Sequence, residues 1–452
     1  MTRKERAHLN GMIRGIKIMA FGAVMAVMCI IGLLLFLRPE TSTLEKRDLA
    51  KFPEFSWADF ADGTWFKGID TWYADTYPLR EPMIAVSQKL ESLYGIRGTQ
   101  IVDAAGQEGN LVADAIPESG EGLEGQAAQI EEETEAETAP VETEETLPDG
   151  TVRDLGEQAG KIYITDNCGY QLYYFMEQNN ANFAATMNAI YDRVGDKVNL
   201  YVLVPPTSSG AMLDQSVVDD MGASNEQDAI NFINDRLADG VHAIDSVSAL
   251  RKHNAEYIYF HTDHHWTALG AYYAYVEFCK EKGIQPHDYR DYETMEFPDF
   301  LGTFYSSSNQ SPALASNPDT VIAYVPKGTN RMTMTYEDGS VVDWPIINDV
   351  SDYNKTQLYA TFVGGDRPFS VAHNETIHDG SAVMVIKDSF GNAFIPWLVD
   401  HYEYIYWVDA RYTKNTISQM VADYNVQDVI YEVSIYNASS EKMQGRYATI
   451  GQ

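Results

Sequence analysis

The densest run of chemically competent side chains is His261-Thr262-Asp263-His264-His265-Trp266-Thr267. A carboxylate beside an imidazole fixes the ring's tautomer and stabilises the imidazolium that forms when the ring takes a proton, which is the base half of a catalytic triad. In an extended segment, residues two apart share a side, so Asp263 is expected beside His265 with His264 turned away. The same run holds ligand-type side chains, and a metal centred on His261, Asp263 and His265 is the rival reading. The spacing is not the helical His-x3-His that puts two rings on one face, so neither a metal nor another cofactor is expected.

A base of this kind needs a nucleophile. Met384-Val385-Ile386-Lys387-Asp388-Ser389-Phe390-Gly391-Asn392-Ala393-Phe394 reads as a strand, then Asp-Ser, then a helix. A sharp strand-to-helix turn exposes a serine hydroxyl and aims backbone N–H groups at a developing oxyanion. Asp and Ser are also preferred helix N-caps, so taken alone the string has an ordinary structural reading.

The surrounding elements are legible as periodicity. Residues 182–194 carry Phe183, Met187, Ile190, Tyr191 and Val194 at helical spacing, and residues 198–204 form a nearly continuous apolar strand before Pro205-Pro206. Helical patterns recur at 226–237 and 268–280, the latter with Thr267 as a cap. The runs 382–386, 404–408 and 429–433 are short, β-branched or aromatic, and bounded by turn residues. Such strands alternating with helices predict an α/β fold with a mainly parallel sheet covered on both faces.

Asp263-His264-His265-Trp266 resembles the signature that names the DHHW family of bacterial exterior proteins. Its Asp-x-His-Trp core is similar to the motif of the alginate O-acetylation enzymes, members of the SGNH hydrolase-like group in which Asp and His precede the nucleophilic Ser. That order recurs here. Glu45-Lys46-Arg47-Asp48-Leu49-Ala50-Lys51-Phe52-Pro53 and Tyr73-Ala74-Asp75-Thr76-Tyr77-Pro78-Leu79-Arg80 resemble the opening of the same proteins, so the likeness runs from residue 42 to the C-terminus. It implies an SGNH hydrolase-like fold with Ser389 as nucleophile, His265 as general base and Asp263 as its orienter. Arg411, in Trp407-Val408-Asp409-Ala410-Arg411-Tyr412, is a candidate for binding substrate or oxyanion, and a buried Asp409–Arg411 pair is the competing reading. The nucleophile block departs from the Gly-Asp-Ser of ordinary SGNH esterases, and no SGNH-type Gly and Asn oxyanion pair is identified. The backbone N–H groups after Ser389 are the leading donors, with Gly391 and Asn392 close by.

Composition bounds where such an enzyme works. Acidic residues outnumber basic ones by 66 to 32 in 452 residues, a formal charge of −34. A surface that negative repels phosphate backbones, so nucleic-acid binding is excluded. Three cysteines are too few for a disulfide scaffold, although Cys168 and Cys279 could pair in an oxidising compartment. Residues 18–37 carry no charge, and at about 1.5 Å per helical residue they cover about 30 Å, a bilayer's hydrocarbon core. A cleaved signal peptide usually has an apolar stretch of only about 7–15 residues, so an uncleaved transmembrane anchor is expected. The basic flank Arg3, Lys4, Arg6, Arg14 and Lys17 keeps residues 1–17 in the cytoplasm and places everything after Arg38 outside.

Residues 107–150 contain fourteen acidic side chains and no basic one. Their composition cannot bury enough apolar surface to offset chain entropy, so 107–155 is expected to be a disordered acidic insertion. It lies between two strand-like stretches, which suggests a loop within one fold made of an exterior part, 38–106, and a catalytic domain, 156–452. The leading functional expectation is a single-pass cell-membrane enzyme that passes an acyl group, expected to be acetyl, through Ser389 to a cell-surface or secreted polysaccharide. Resemblance further implies a membrane-bound O-acyltransferase partner. An acetyl-esterase using the same three residues, a non-catalytic envelope scaffold and a metal-dependent enzyme are the alternatives.

Overall fold

The computed structural model describes residues 162–452 apart from 309 and 337, parts of 38–77, and the short strands Gln100–Val102, Glu145–Thr146 and Val152–Arg153. The apolar run 18–37 lies outside the described residues. Among the described residues no helix is long and apolar enough to cross a membrane. The chain divides into two compact units, 1–96 and 97–452.

In the first unit the helix Thr64–Asp75 gathers aromatic rings. Phe52 meets Trp72 edge-on with centroids 4.9 Å apart, and the Arg38 guanidinium lies 4.1 Å over the Trp72 ring while donating to Thr76 Oγ1 at 2.7 Å.

The second unit is built on an eight-stranded sheet. In chain order its strands are β1 (Asn199–Leu203), β2 (Val241–Ile244), β3 (Arg331–Thr335), β4 (Val341–Pro345), β5 (Phe369–His373), β6 (Ala382–Lys387), β7 (Tyr404–Asp409) and β8 (Asp428–Glu432). They lie in the order β4-β3-β5-β7-β6-β8-β1-β2. From β7 through β2 every pairing is parallel, whereas β5, β3 and β4 add antiparallel pairings. The sheet is thus mixed, which narrows the expected parallel sheet to its five-stranded half. The antiparallel edge comes from 331–373, where β3 and β4 are joined by a short hairpin connection and β5 returns to pair with the other side of β3.

Side-chain alternation assigns each face of the sheet a core. Val383 and Val385 of β6 join Tyr201 and Leu203 of β1 in one buried cluster with Ala271, Tyr275 and Phe278 of the helix α2 (Ala268–Lys282). Met384 and Ile386 join Leu200 and Val202 in the other, with Phe183, Met187, Ile190 and Val194 of the helix α1 (Glu177–Val194). The parallel strands are thus buried on both faces, with α1 covering one and α2 the other. Thr267 caps α2 by accepting the Gly270 N–H, and α2 ends at Gly283, whose φ of 78° suits a residue without Cβ.

Gln100–Val102 pairs antiparallel with Ile162–Thr165, which pairs in turn with Cys168–Gln171. The acidic stretch therefore connects two neighbouring strands. Within it, Glu145–Thr146 pairs antiparallel with Val152–Arg153. The rest of 107–155 lies outside the described residues. Cys168 and Cys279 are free thiols. A separate hairpin, Glu293–Phe300 with Asp319–Val325, stands beside the histidine loop and supplies its anchors.

Candidate active site

Open α/β sheets bind ligands at the carboxyl ends of their parallel strands, where helix N-termini and loops converge. Ser389 lies there, two residues beyond the end of β6, with β7 and β8 on either side. The turn is held by Asp388. Its Oδ1 accepts the Phe390 N–H at 3.0 Å, and its Oδ2 accepts the N–H and hydroxyl of Ser434 and the Asn437 amide at 2.9, 2.7 and 2.8 Å. At Gly391 a Cβ would meet Glu432 Oε2 and Lys387 Cβ, each at 2.7 Å, so only glycine fits this close approach.

The histidine loop reaches the same place from between β2 and α2. A bridge between Tyr259 and Trp266, with the Phe260 N–H donated to the His265 carbonyl, closes residues 260–265 into a turn. Buried Asp319 fixes its first half by accepting the His261 N–H, the Thr262 N–H and the Thr262 hydroxyl at 2.8, 2.7 and 2.6 Å. The Trp266 indole N–H donates to the Phe390 carbonyl at 2.9 Å and ties the loop to the nucleophile turn.

Together these elements bring three side chains into one hydrogen-bonded line. Ser389 Oγ is 2.8 Å from His265 Nε2, and His265 Nδ1 is 2.6 Å from Asp263 Oδ1. Asp263 also accepts the His265 backbone N–H at 2.9 Å and, through Oδ2, the N–H and hydroxyl of Thr303 at 2.8 and 3.0 Å. A Cβ at Gly302 would stand 2.3 Å from that Oδ2, so glycine there lets the carboxylate seat. Tyr359 stacks on the His265 ring at 4.0 Å and 6°, and its hydroxyl donates to the Ser389 carbonyl at 2.9 Å. Burial alone would raise the Asp263 pKa. The adjacent His265 and His264 rings, with the hydrogen bonds from His265 and Thr303, outweigh it and hold the carboxyl well below its ordinary value. An ionised Asp263 accepts a hydrogen bond from Nδ1–H, which leaves the Nε2 lone pair for the serine proton.

His264 is not turned away. Its ring lies over His265 with centroids 3.8 Å apart, and its Nδ1 is 2.6 Å from Thr303 Oγ1. The expectation of opposite sides assumed an extended backbone, and the loop is a turn, in which period-two alternation does not apply. Burial first, and then the neighbouring His265, push its pKa down to about 3.

Asp263, His264 and His265 offer donor atoms within 4.8 Å of one another, a grouping that leaves out the His261 of the metal reading. The fit to an ion is poor, because both His265 nitrogens are already engaged, one by Asp263 and one by Ser389. His261 instead lies near Asp319, with Nδ1 3.4 Å from Oδ1, on the wall of a separate open cleft.

Arg411 joins a buried ion cluster beneath the turn. Its guanidinium donates to Asp409 from Nε at 2.9 Å and from Nη2 at 2.7 Å, and to Asp366 Oδ2 at 2.6 Å. Lys387 reaches Asp366 Oδ1 at 2.6 Å from the other side. Burial alone would raise the Asp366 pKa, but Arg411 and Lys387 hold it well below its ordinary value. Of the two expectations for Arg411, the structure displays the pair with Asp409. The expected oxyanion donors are also engaged. Phe390 N–H goes to Asp388 Oδ1, Gly391 N–H to the Asp388 carbonyl, Asn392 N–H to the Ser389 carbonyl and the Asn392 amide to Asp366.

A narrow hollow of about 10 Å³ opens on Ser389, lined also by Gln171, Thr207, His264, Phe390, Ser434, Tyr436 and Asn437. That is room for about one water. Ser389 is 1% exposed and His265 fully buried. Sequence reasoning missed Thr303, Asp319, Tyr359, Gln171 and Asp366. Only Ser434 and Asn437, just past the end of an apolar strand, carried a usable signal, since loops that end parallel strands carry sites.

The model of the DHHW protein family matches residues 45–138 and 129–408 of the chain. A crystal structure of a DHHW family protein from Eubacterium siraeum is similar at 28% identity and a TM-score of 0.57, covering 63% of this chain and 94% of that one. Bacillus cereus PatB1 shares the fold at 21% identity and a TM-score of 0.54, over 62% of this chain and 98% of its own. A second PatB1 structure, with a sulfonyl adduct, aligns at 21% identity and a TM-score of 0.52, over 62% and 97%. No curated protein sequence matches. With the family match spanning well over half its length, this chain belongs to the DHHW protein family.

Proposed function

We propose that the chain is a membrane-tethered exterior enzyme that transfers an acetyl group through an ester on Ser389 to a hydroxyl of a cell-surface or secreted polysaccharide. The observation that carries this reading is the line Asp263–His265–Ser389, with contacts of 2.6 and 2.8 Å. His265 Nε2 takes the hydroxyl proton as Ser389 Oγ attacks the donor ester and then returns it to the leaving group. An acceptor hydroxyl repeats the sequence in reverse and leaves with the acetyl group. Because the turn's later N–H groups are engaged, the N–H of Ser389 itself and the Gln171 amide across the hollow are the donors we assign to the oxyanion.

The small hollow favours a two-carbon acyl chain over longer ones. Similarity of the Asp-x-His-Trp core to alginate O-acetylation enzymes supports acetyl and polysaccharide, and with them a membrane-bound O-acyltransferase partner that brings acetyl across the bilayer. Anchoring rests on residues 18–37 and their basic flank.

A second reading, an esterase that gives the acetyl group to water, is favoured by the same hollow, which admits a water. The full chain in detergent, supplied with p-nitrophenyl acetate with and without an oligosaccharide, separates the two. Acetylated sugar supports transfer, and acetate release unaffected by sugar supports hydrolysis. PatB1 carries a sulfonyl adduct, so a sulfonyl fluoride is a suitable probe here. A folded protein whose Ser389 resists it would leave only a scaffold.

A further inference from the structure

Proton bookkeeping fixes the tautomer of His264. The Thr303 hydroxyl has one proton and donates it to Asp263 Oδ2 at 3.0 Å, an ionised oxygen that can only accept. The 2.6 Å contact between Thr303 Oγ1 and His264 Nδ1 must therefore carry the imidazole proton, from Nδ1–H to Oγ1. Burial keeps the ring neutral, with a pKa near 3, so it has no second proton. His264 Nε2 consequently holds a bare lone pair. Among the described residues no group donates to that atom, and it is not among the buried polar atoms sealed without a partner. The ring lines the hollow in front of Ser389 and lies against the ring of His265, with centroids 3.8 Å apart.

We propose that His264 Nε2 binds the acyl acceptor by accepting a hydrogen bond from the hydroxyl next to the attacking one, so that the site takes vicinal diols in preference to lone alcohols. The inference rests on Ser389 being the nucleophile. In the transfer step the attacking oxygen bonds to the acetyl carbon and its proton passes to His265 Nε2. The bond from that carbon to Ser389 Oγ then breaks, and Oγ takes the same proton. The neighbouring hydroxyl keeps its own proton, shared with His264. Lacking a proton on Nε2, His264 cannot serve as an oxyanion donor.

The test uses the full chain in detergent with p-nitrophenyl acetate as donor and either trans-1,2-cyclohexanediol or cyclohexanol as acceptor. One hydrogen bond predicts a preference of about tenfold in kcat/KM for the diol. His264→Phe, which keeps an aromatic ring over His265, should remove most of that preference through the diol's KM. His264→Gln, which restores an acceptor oxygen, should recover part of it. A purely structural His264 would slow the first-turnover release of p-nitrophenol and depress both acceptors equally, leaving their ratio unchanged, and that result overturns the inference. So does equal use of both acceptors by the native chain, which decides the matter even if His264→Phe does not fold. Failure to detect acetyl-Ser389 by mass spectrometry in the native chain overturns the nucleophile assignment and this inference with it. Acetyl-Ser389 that forms and passes to both acceptors alike overturns this inference alone.

Discussion

The nucleophile turn and the histidine loop meet at one serine and both lean on buried carboxylates, but only the turn stands on an ion cluster as well. Beneath Ser389 the turn stands on a buried ion cluster, in which Asp366 and Asp409 hold Arg411 and Lys387. The histidine loop has no such cluster. It is fixed by two buried carboxylates, Asp319 and Asp263, that accept backbone N–H groups and threonine hydroxyls. Once past the strand the nucleophile turn also has backbone donors to satisfy, and Asp388 takes the Phe390 and Ser434 N–H groups, so the ion cluster is what sets this region apart. An irregular loop must have its orphan backbone donors satisfied one by one.

Substitutions sharpen this contrast, beginning with the shared atom. Ser389→Ala should lower kcat by about 10⁶-fold and abolish sulfonyl labelling, read by p-nitrophenol release and intact mass. Asp263→Asn should keep the fold, present the wrong His265 tautomer and cost about 10⁴-fold in kcat, with unchanged near-UV circular dichroism. Arg411→Met removes one cation from between two carboxylates and should cost about 3–5 kcal/mol in urea unfolding. Asp319→Asn exchanges one acceptor oxygen for a donor facing N–H groups and should cost about 1–3 kcal/mol, with its main kinetic effect on kcat because the base is displaced. Equal losses of stability from these last two would erase the distinction between the regions.

The smallest effect expected is a pH dependence. The folded His264 pKa lies near 3, below its ordinary 6.5, so between those values the unfolded chain binds the extra proton. Stability then falls as pH drops from 6.5 toward 3, and the contribution is complete above 6.5. Unfolding free energies from urea titrations at pH 7 and pH 5 should differ by about 1–2 kcal/mol from this group, and His264→Phe should remove that part of the difference.

Much of the parallel half of the sheet was legible because its strands are buried on both faces and read as short apolar runs. The run 382–386 is β6 less its terminal Lys387, and 404–408 is β7 less Asp409. The omitted residues are charged, and nothing in the local pattern tells that they are buried and paired. Asp263, His265 and Ser389 were legible as a base, its orienter and a serine at a strand end. His264 was misplaced because alternation was applied to a turn. The anchors Asp319 and Thr303 lie 54 and 38 residues beyond His265 in an unrelated hairpin, and no spacing rule connects them.

By itself the sequence determined which groups could react and which strands must be buried, because residue type and short-range period are local properties. Only the tertiary structure decided that a serine 124 positions from His265 meets its ring, and that Arg411 is taken up by Asp366 as well as Asp409. Those contacts arise from the order in which parallel strands assemble across the sheet. That order is set by packing on its two faces, which no local pattern records.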